Sequence, residues 1–330
     1  MKIYKLSILL ILFIGLANAQ NAVSEDKVTL TVSSLEKSVP FFTNILDFEV
    51  NASYELNGKA FHNLYGLDSN KTSARIVLLS LGNEKLELIE FIDEDKKLEI
   101  PKDSKSNDRW FQHIAIVVSN MEMAYEKLLD KGIEHVSTRP QTLPKYIPAA
   151  AGIKAFYFKD LDGHNLELIF FPKGKGDPRW QEDSDKLFLG IDHTAIGIET
   201  TAMAKTLYQK VLGLKVVGSS NNYGYEQEHL NQVFGANLLI SGLKAKKGIG
   251  IEFLDYLAPS GGRAYPEDSM VTDLWHWHTT IEVNNLNAIY NEIMKVGYPI
   301  ISNGLVEFNQ EKQIMIRDSD GHALLLKESK

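Results

Sequence analysis

The chain has 330 residues, 44% of them apolar, and its 43 acidic against 35 basic side chains leave a formal charge of −8. That balance excludes the basic footprint of a nucleic-acid or anionic-lipid binder. With no cysteine, there is no disulfide, no thiolate metal site and no cysteine nucleophile, so the fold must rest on its core.

Lys2 and Lys5 precede an apolar run from Leu6 to Leu16, and Ala17-Asn18-Ala19 supplies a small-x-small cleavage pattern. The run is too short to span a bilayer as a mature helix, so residues 1–19 read as a secretory signal peptide. The mature protein is then exported, periplasmic or secreted, and has no membrane segment. An uncleaved N-terminal anchor is the rival reading.

From residue 26 onward one unit is written four times. Its first strand is KVTLTV (27–32), WFQHIAIVV (110–118), LGIDHTAIGI (189–198) and LWHWHTTIEV (274–283). Each is followed by about four turns of helical pattern: SLEKSVPFFTNILDF, NMEMAYEKLLDKG, TTAMAKTLYQKVLGL and NLNAIYNEIMKVG. Three short strands follow each helix, the last being KLELIEF (85–91), NLELIFF (165–171), GIEFLDY (250–256) and ALLLK (323–327). The unit is therefore βαβββ, and the fold class α+β.

A longer period overlies this one. Glu87 and Glu252 are 252 − 87 = 165 residues apart, as are His113 and His278, so the chain is a duplicated pair of modules. The modules span about 26–93 and 109–172 in a first domain (20–172), then about 188–257 and 274–328 in a second (188–330). The polar, breaker-rich 173–187 is the linker between them. The steps Asp162-Gly163 and Asp320-Gly321 suit tight turns, and the proline-rich loop RPQTLPKYIPAAAG (139–152) is long enough to be functional, as a lid or rim.

These segments, above all QHIAIVV with DLDGHNLEL and DHTAIGI with GIEFLDY, resemble the vicinal oxygen chelate superfamily, which includes glyoxalase I, bleomycin-resistance proteins and extradiol dioxygenases. The resemblance covers almost the whole mature chain and implies two glyoxalase-like domains, each a curved mixed sheet of two modules around one cavity. It also implies metal ligands at the start of each first strand and the middle of each last one. Carried over, the first pair offers Lys27, Glu87, His113 and Glu167, and the second offers His193, Glu252, His278 and Leu325.

Alternation along the strands puts His113, Ala115 and Val117 on one face, and likewise His193, Ala195 and Gly197, and His278, Thr280 and Glu282. Those faces are small or polar, as a cavity wall should be. His193, Glu252 and His278 form the expected metal site, because two imidazoles and a carboxylate suit Fe, Zn, Mn, Ni or Co. Glu87, His113 and Glu167 form a second candidate, disfavoured by the Lys27 ammonium in its fourth corner. Glu252 or Glu226 is the candidate general base, with His229, His276, Tyr223, Tyr225 and Tyr146 as rim residues.

The expected function is an exported, divalent-metal-dependent lyase, isomerase or dioxygenase acting on a small substrate with neighbouring oxygens, as a monomer or homodimer. The alternative is a non-catalytic small-molecule binder of the bleomycin-resistance type.

Overall fold

The computed structural model describes residues 21–67, 71–92 and 97–330; the expected signal peptide lies outside the described residues. The first module comprises β1 (Ala22–Thr31), α1 (Leu35–Leu46), β2 (Glu49–Leu56), α2 (Gly58–Tyr65), β3 (Ser73–Leu81) and β4 (Glu84–Ile92). The second comprises β5 (Phe111–Val118), α3 (Met121–Asp130), β6 (Gln141–Thr142), β7 (Lys154–Lys159) and β8 (Asn165–Phe170). The third comprises β9 (Phe188–Ile198), α4 (Thr201–Lys205), β10 (Lys215–Tyr223), α5 (Tyr225–Asn231), β11 (Asn237–Lys244), β12 (Lys247–Gly248) and β13 (Gly250–Ala258). The fourth comprises β14 (Trp277–Val283), α6 (Leu286–Val296), β15 (Val306–Phe308), β16 (Glu311–Arg317) and β17 (Ala323–Glu328).

The helices begin where the sequence supplies caps. Asn120, Thr200 and Asn285 accept hydrogen bonds from the amides of Met123, Met203 and Ala288, three residues on, satisfying donors that a helix start otherwise leaves unpaired. After α4 the third module's helix widens to a π-helical turn over Thr206–Val211.

Two curled mixed sheets result. One runs β2-β3-β4-β1-β14-β17-β16-β15, with β12 added beside β1; the other runs β10-β11-β13-β9-β5-β8-β7-β6. The first module therefore shares a sheet with the fourth, through antiparallel β1 and β14, and the second with the third, through antiparallel β5 and β9. This corrects the expectation that sequence neighbours share each sheet and its cavity. Every first strand presents the same alternating edge, so local pattern admits either partner; what differs is how the chain crosses between sheets. The crossings after β4 and β13 run side by side: the Gly262 amide donates to the Asn107 carbonyl (2.6 Å), and Arg263 grips Asp108 (2.8 Å) and Asp103 (3.0 Å).

The repeated DG turns hold the sheets together. Asp160 accepts from the amides of Asp162 and His164 and pairs with His164 Nδ1 at 2.7 Å. Asp318 does the same with Asp320 and His322, at 2.9 Å to the imidazole. The next aspartates reach across to the other sheet's modules, Asp162 to the Ser33 amide (2.9 Å) and Asp320 to the Glu199 amide (2.8 Å). His164 and His322 are buried inside this joint.

The main core lies between the convex faces of the sheets and the helices. Val28 and Leu30 of β1, Ile114 and Ile116 of β5, and Ile196 and Ile198 of β9 join Phe42, Leu128, Tyr208 and Ile293 of the four long helical segments in one apolar cluster. At roughly 1.5–3 kcal/mol for each large side chain buried, this is the dominant stabilising term. Among the described residues, no helix is long and apolar enough to cross a membrane.

Candidate metal centre

Register places the concave-face residues of the two sheets in one-to-one correspondence. In the sheet of the second and third modules, His113 stands opposite Ala195, which neighbours Glu252, and His193 stands opposite Ala115, which neighbours Glu167. In the other sheet, His278 stands opposite Thr29, which neighbours Glu87, and Lys27 stands opposite Thr280, which neighbours Leu325. One concave face thus carries two histidines and two glutamates, and the other has lost a ligand of each kind, to Lys27 and Leu325.

The complete set converges. Ligand atoms of His113, Glu167 and His193 all lie within 4.8 Å of one another. Glu167 Oε2 is 3.0 Å from His113 Nε2 and 3.6 Å from His193 Nε2, and Glu252 Oε2 is 3.5 Å from His193 Nε2. The expected grouping of His193 and Glu252 with His278 is therefore corrected, because β14 belongs to the other sheet. So is the grouping of Glu87 with His113 and Glu167, since Glu87 lies on β4 in that other sheet.

The residue before each histidine orients its ring. Gln112 Oε1 accepts from His113 Nδ1, and Asp192 Oδ2 from His193 Nδ1 at 3.0 Å. Both Nε2 atoms are left facing inward, 3.3 Å apart, beside two carboxylates. Two imidazole lone pairs aimed at each other among anionic oxygens need a proton or a cation between them, so the donor set fits a divalent ion. A proton can serve in its place: burial opposes the charge, but Glu252, Asp192 and Glu167 outweigh it and hold the His193 pKa at about 9. Asp192 is half-buried, which opposes its charge, yet His193, Lys244 and the Trp180 indole N–H (2.8 Å) keep it well below the usual carboxylate range. Burial raises Glu252 above that range.

The other concave face is largely filled by side chains. Leu325 packs into an apolar cluster with Phe61, Tyr65, Ile89, Phe91 and Met315. Lys27 Nζ contacts Glu87, which also accepts from Tyr54 (2.8 Å) and Thr29 (3.0 Å); a half-buried ammonium stands where the partner sheet gathers metal ligands. His276 and His278 are buried there with Nε2 and Nδ1 3.3 Å apart, and burial holds His278 neutral, its pKa down at about 4. His276 is therefore core, not rim.

The open face forms a cavity of about 460 Å³ lined by Glu167, His193 and Glu252. Leu143 and Ala149 of the proline-rich loop form part of its wall, and Gly176 and Asp177 bring in the linker. Helix α5 is tied across to β7 through one hydroxyl: Ser137 Oγ donates to the Leu230 carbonyl at 2.6 Å and accepts from the Tyr157 amide at 2.8 Å. Tyr146 stacks on Tyr223 (5.3 Å) and donates to Glu226 (3.2 Å), latching the loop to α5 on its exposed side. Tyr225 stacks on His229 at 4.0 Å on the same helix. Glu226 is engaged by Tyr146, and α5 presents Gln227 and Leu230 to the cavity instead, which corrects the expectation of Glu226 as a base. Gln112, Asp192, Asn222 and Gln227 were missed. The first two were visible in principle as the polar residue before each strand histidine; the other two had no sequence signal.

The model of the Glyoxalase/Bleomycin resistance protein/Dioxygenase superfamily matches residues 26–168 and again 190–326. A 2-epi-5-epi-valiolone epimerase from Actinomyces sp is 32% identical over 155 residues, covering 46% of this chain and 82% of that protein. Among solved structures, a point mutant of glyoxalase I from Zea mays has a TM-score of 0.61 at 14% identity, covering 93% of each chain. A putative dioxygenase from Bacillus subtilis has a TM-score of 0.58 at 13% identity, covering 94% of this chain and 86% of its own. At such identities the two structures attest the fold.

Proposed function

Since the chain belongs to the Glyoxalase/Bleomycin resistance protein/Dioxygenase superfamily, we propose that it is a metal-dependent isomerase or epimerase that moves a proton on the carbon beside a carbonyl of a small oxygenated molecule. The observation that carries this reading is the convergence of two imidazoles and the Glu167 carboxylate, with Glu252 3.5 Å from His193, where Glu167, His193 and Glu252 line an open cavity. A divalent ion (Fe, Zn, Mn, Ni or Co) held by His113, Glu167 and His193 would supply Lewis-acid polarisation of the substrate oxygens. Glu252 takes the proton from the substrate carbon; its return to the neighbouring carbon isomerises the substrate, and its return to the opposite face of the same carbon epimerises it. Glu252 is the more open of the two carboxylates, its side chain 24% exposed against 5% for Glu167, and burial raises its pKa, the direction that favours a base. The epimerase relative supports proton transfer as the chemistry.

Oxidative ring cleavage is the second reading, because two histidines and one carboxylate are the composition of non-haem iron oxygenase sites. The Glu252 carboxylate beside them weighs against it. We also infer, from the first nineteen residues, that the mature chain is exported; N-terminal sequencing of protein from fractionated cells tests this, and an intact cytosolic Met1 would sink it.

The functional test is solvent exchange. Purified protein with about one transition ion per chain, incubated with small hydroxyketones in D₂O, should exchange the proton beside the carbonyl, and EDTA or Glu252→Gln should stop it. Metal-containing protein that binds hydroxyketones yet exchanges no proton would overturn the enzymatic reading in favour of a binder.

A further inference from the structure

The far end of the cavity carries chemistry that the metal centre does not use. Asn222, at the end of β10, is 2% exposed and lines the cavity. Its Nδ2 donates to Gln227 Oε1 at 3.1 Å, while its Oδ1 is buried with no partner. Gln227 is as deeply buried and lines the same space. A buried carbonyl oxygen without a donor is costly, and buried polar groups are nearly always paired.

Between this pair and the metal centre the floor along β10 carries only small residues, with Ile240 as the apolar cross-strand neighbour of Ser220. Gly242 is the cross-strand neighbour of Glu252 and Gly218 that of Gly242. A Cβ built on Gly218 would meet nothing within 4 Å. Ser220 lies between Gly218 and Asn222, two residues from each, on the same strand face. A ligand with oxygens at the ion can thus extend along β10 over glycine and serine to a carboxamide pair. Lys244 is the one lysine or arginine lining the cavity among the described residues, and it already lies 3.9 Å from Asp192. The space therefore lacks a free cation to hold an anionic substituent.

We propose that Asn222, supported by Gln227, is the specificity-determining residue of this cavity, and that it selects a neutral, polyhydroxylated carbonyl compound by accepting a hydrogen bond from a hydroxyl remote from the reacting oxygens. This rests on the metal-dependent reading above, but it is tested separately. Metal-loaded protein is titrated calorimetrically with 2-keto-myo-inositol and with 2-hydroxycyclohexanone, which keeps the ring and the neighbouring oxygens and lacks the remote hydroxyls. Wild type should bind the first at least roughly tenfold more tightly, and Asn222→Leu should erase that preference with metal content unchanged. Asn222→Asp, which keeps an acceptor, should retain it, and Asn222→Ala, which removes the acceptor without adding bulk, should erase it and covers the case in which the leucine variant does not fold. Equal affinities in the wild type, binding of neither probe, or a preference that survives Asn222→Leu would overturn the proposal. Failure of the metal reading has a different signature: binding of both probes that ignores EDTA.

Discussion

Leu325 holds in one sheet the register position that Glu167 holds in the other: Leu325 neighbours Thr280, and Glu167 neighbours Ala115, each two residues beyond a first-strand histidine. With Lys27 standing where His193 stands in the partner sheet, both lost ligands fall on the same concave face. One cavity has kept its chemistry whole, and the other has become core.

That division predicts metal stoichiometry. His113→Ala and His193→Ala should each lower bound metal from about one per chain to below roughly a tenth, whereas His278→Ala should leave it unchanged. Inductively coupled plasma analysis of the dialysed proteins decides it. Loss of metal in the His278 variant would refute the assignment of sheets.

Asp192 orients His193 through Nδ1 at 3.0 Å. Asp192→Asn should weaken metal affinity by roughly 10–100-fold with little change in the fold, the range typical for residues that support a ligand. Competition with a fluorescent chelator measures it, and unaltered affinity would remove Asp192 from the site.

Leu325 is 5% exposed in an apolar cluster. Leu325→Glu should destabilise the protein by at least about 2 kcal/mol, because the new carboxylate is buried among hydrocarbon. It should not raise the metal content, since Lys27 remains. Chemical denaturation and metal analysis of the same sample check both halves.

The Asp160–His164 pair gives a pH dependence. Burial opposes the imidazolium, but Asp160, Asp162 and the Leu274 carbonyl outweigh it and raise the His164 pKa to about 9 from the ordinary 6.5. A raised folded-state pKa means that the stabilisation is fully present below about 6.5 and is lost as pH rises through about 9. Between pH 7 and 10 the Tm of wild type should therefore fall by roughly 3 °C or more beyond the fall seen in His164→Leu. Parallel curves for the two proteins would contradict it; both should be metal-loaded, so that His193 does not add a term of the same sign.

Helices and strand faces were legible because they rest on local information. The small-or-polar face of His113, Ala115 and Val117 and the aliphatic face of Ile114 and Ile116 follow from a two-residue period, and the helix starts follow from caps such as Asn120 and Asn285. Of the final tetrad, all four members were among the candidates, but they were divided between two sites, with His278 and Glu87 as false partners.

By itself, then, the sequence determined four βαβββ modules, the face on which each ligand lies, and which positions had lost a carboxylate or an imidazole. Which modules share a sheet was decided only in three dimensions. The edges of β1, β5, β9 and β14 carry the same alternation, and the observed pairing goes with two crossings that meet at the Arg263–Asp108 contact and with the reach of Asp162 and Asp320 across the joint. Ligand convergence is a property of that pairing, since each module supplies two corners of a four-cornered site and no single module can hold an ion alone.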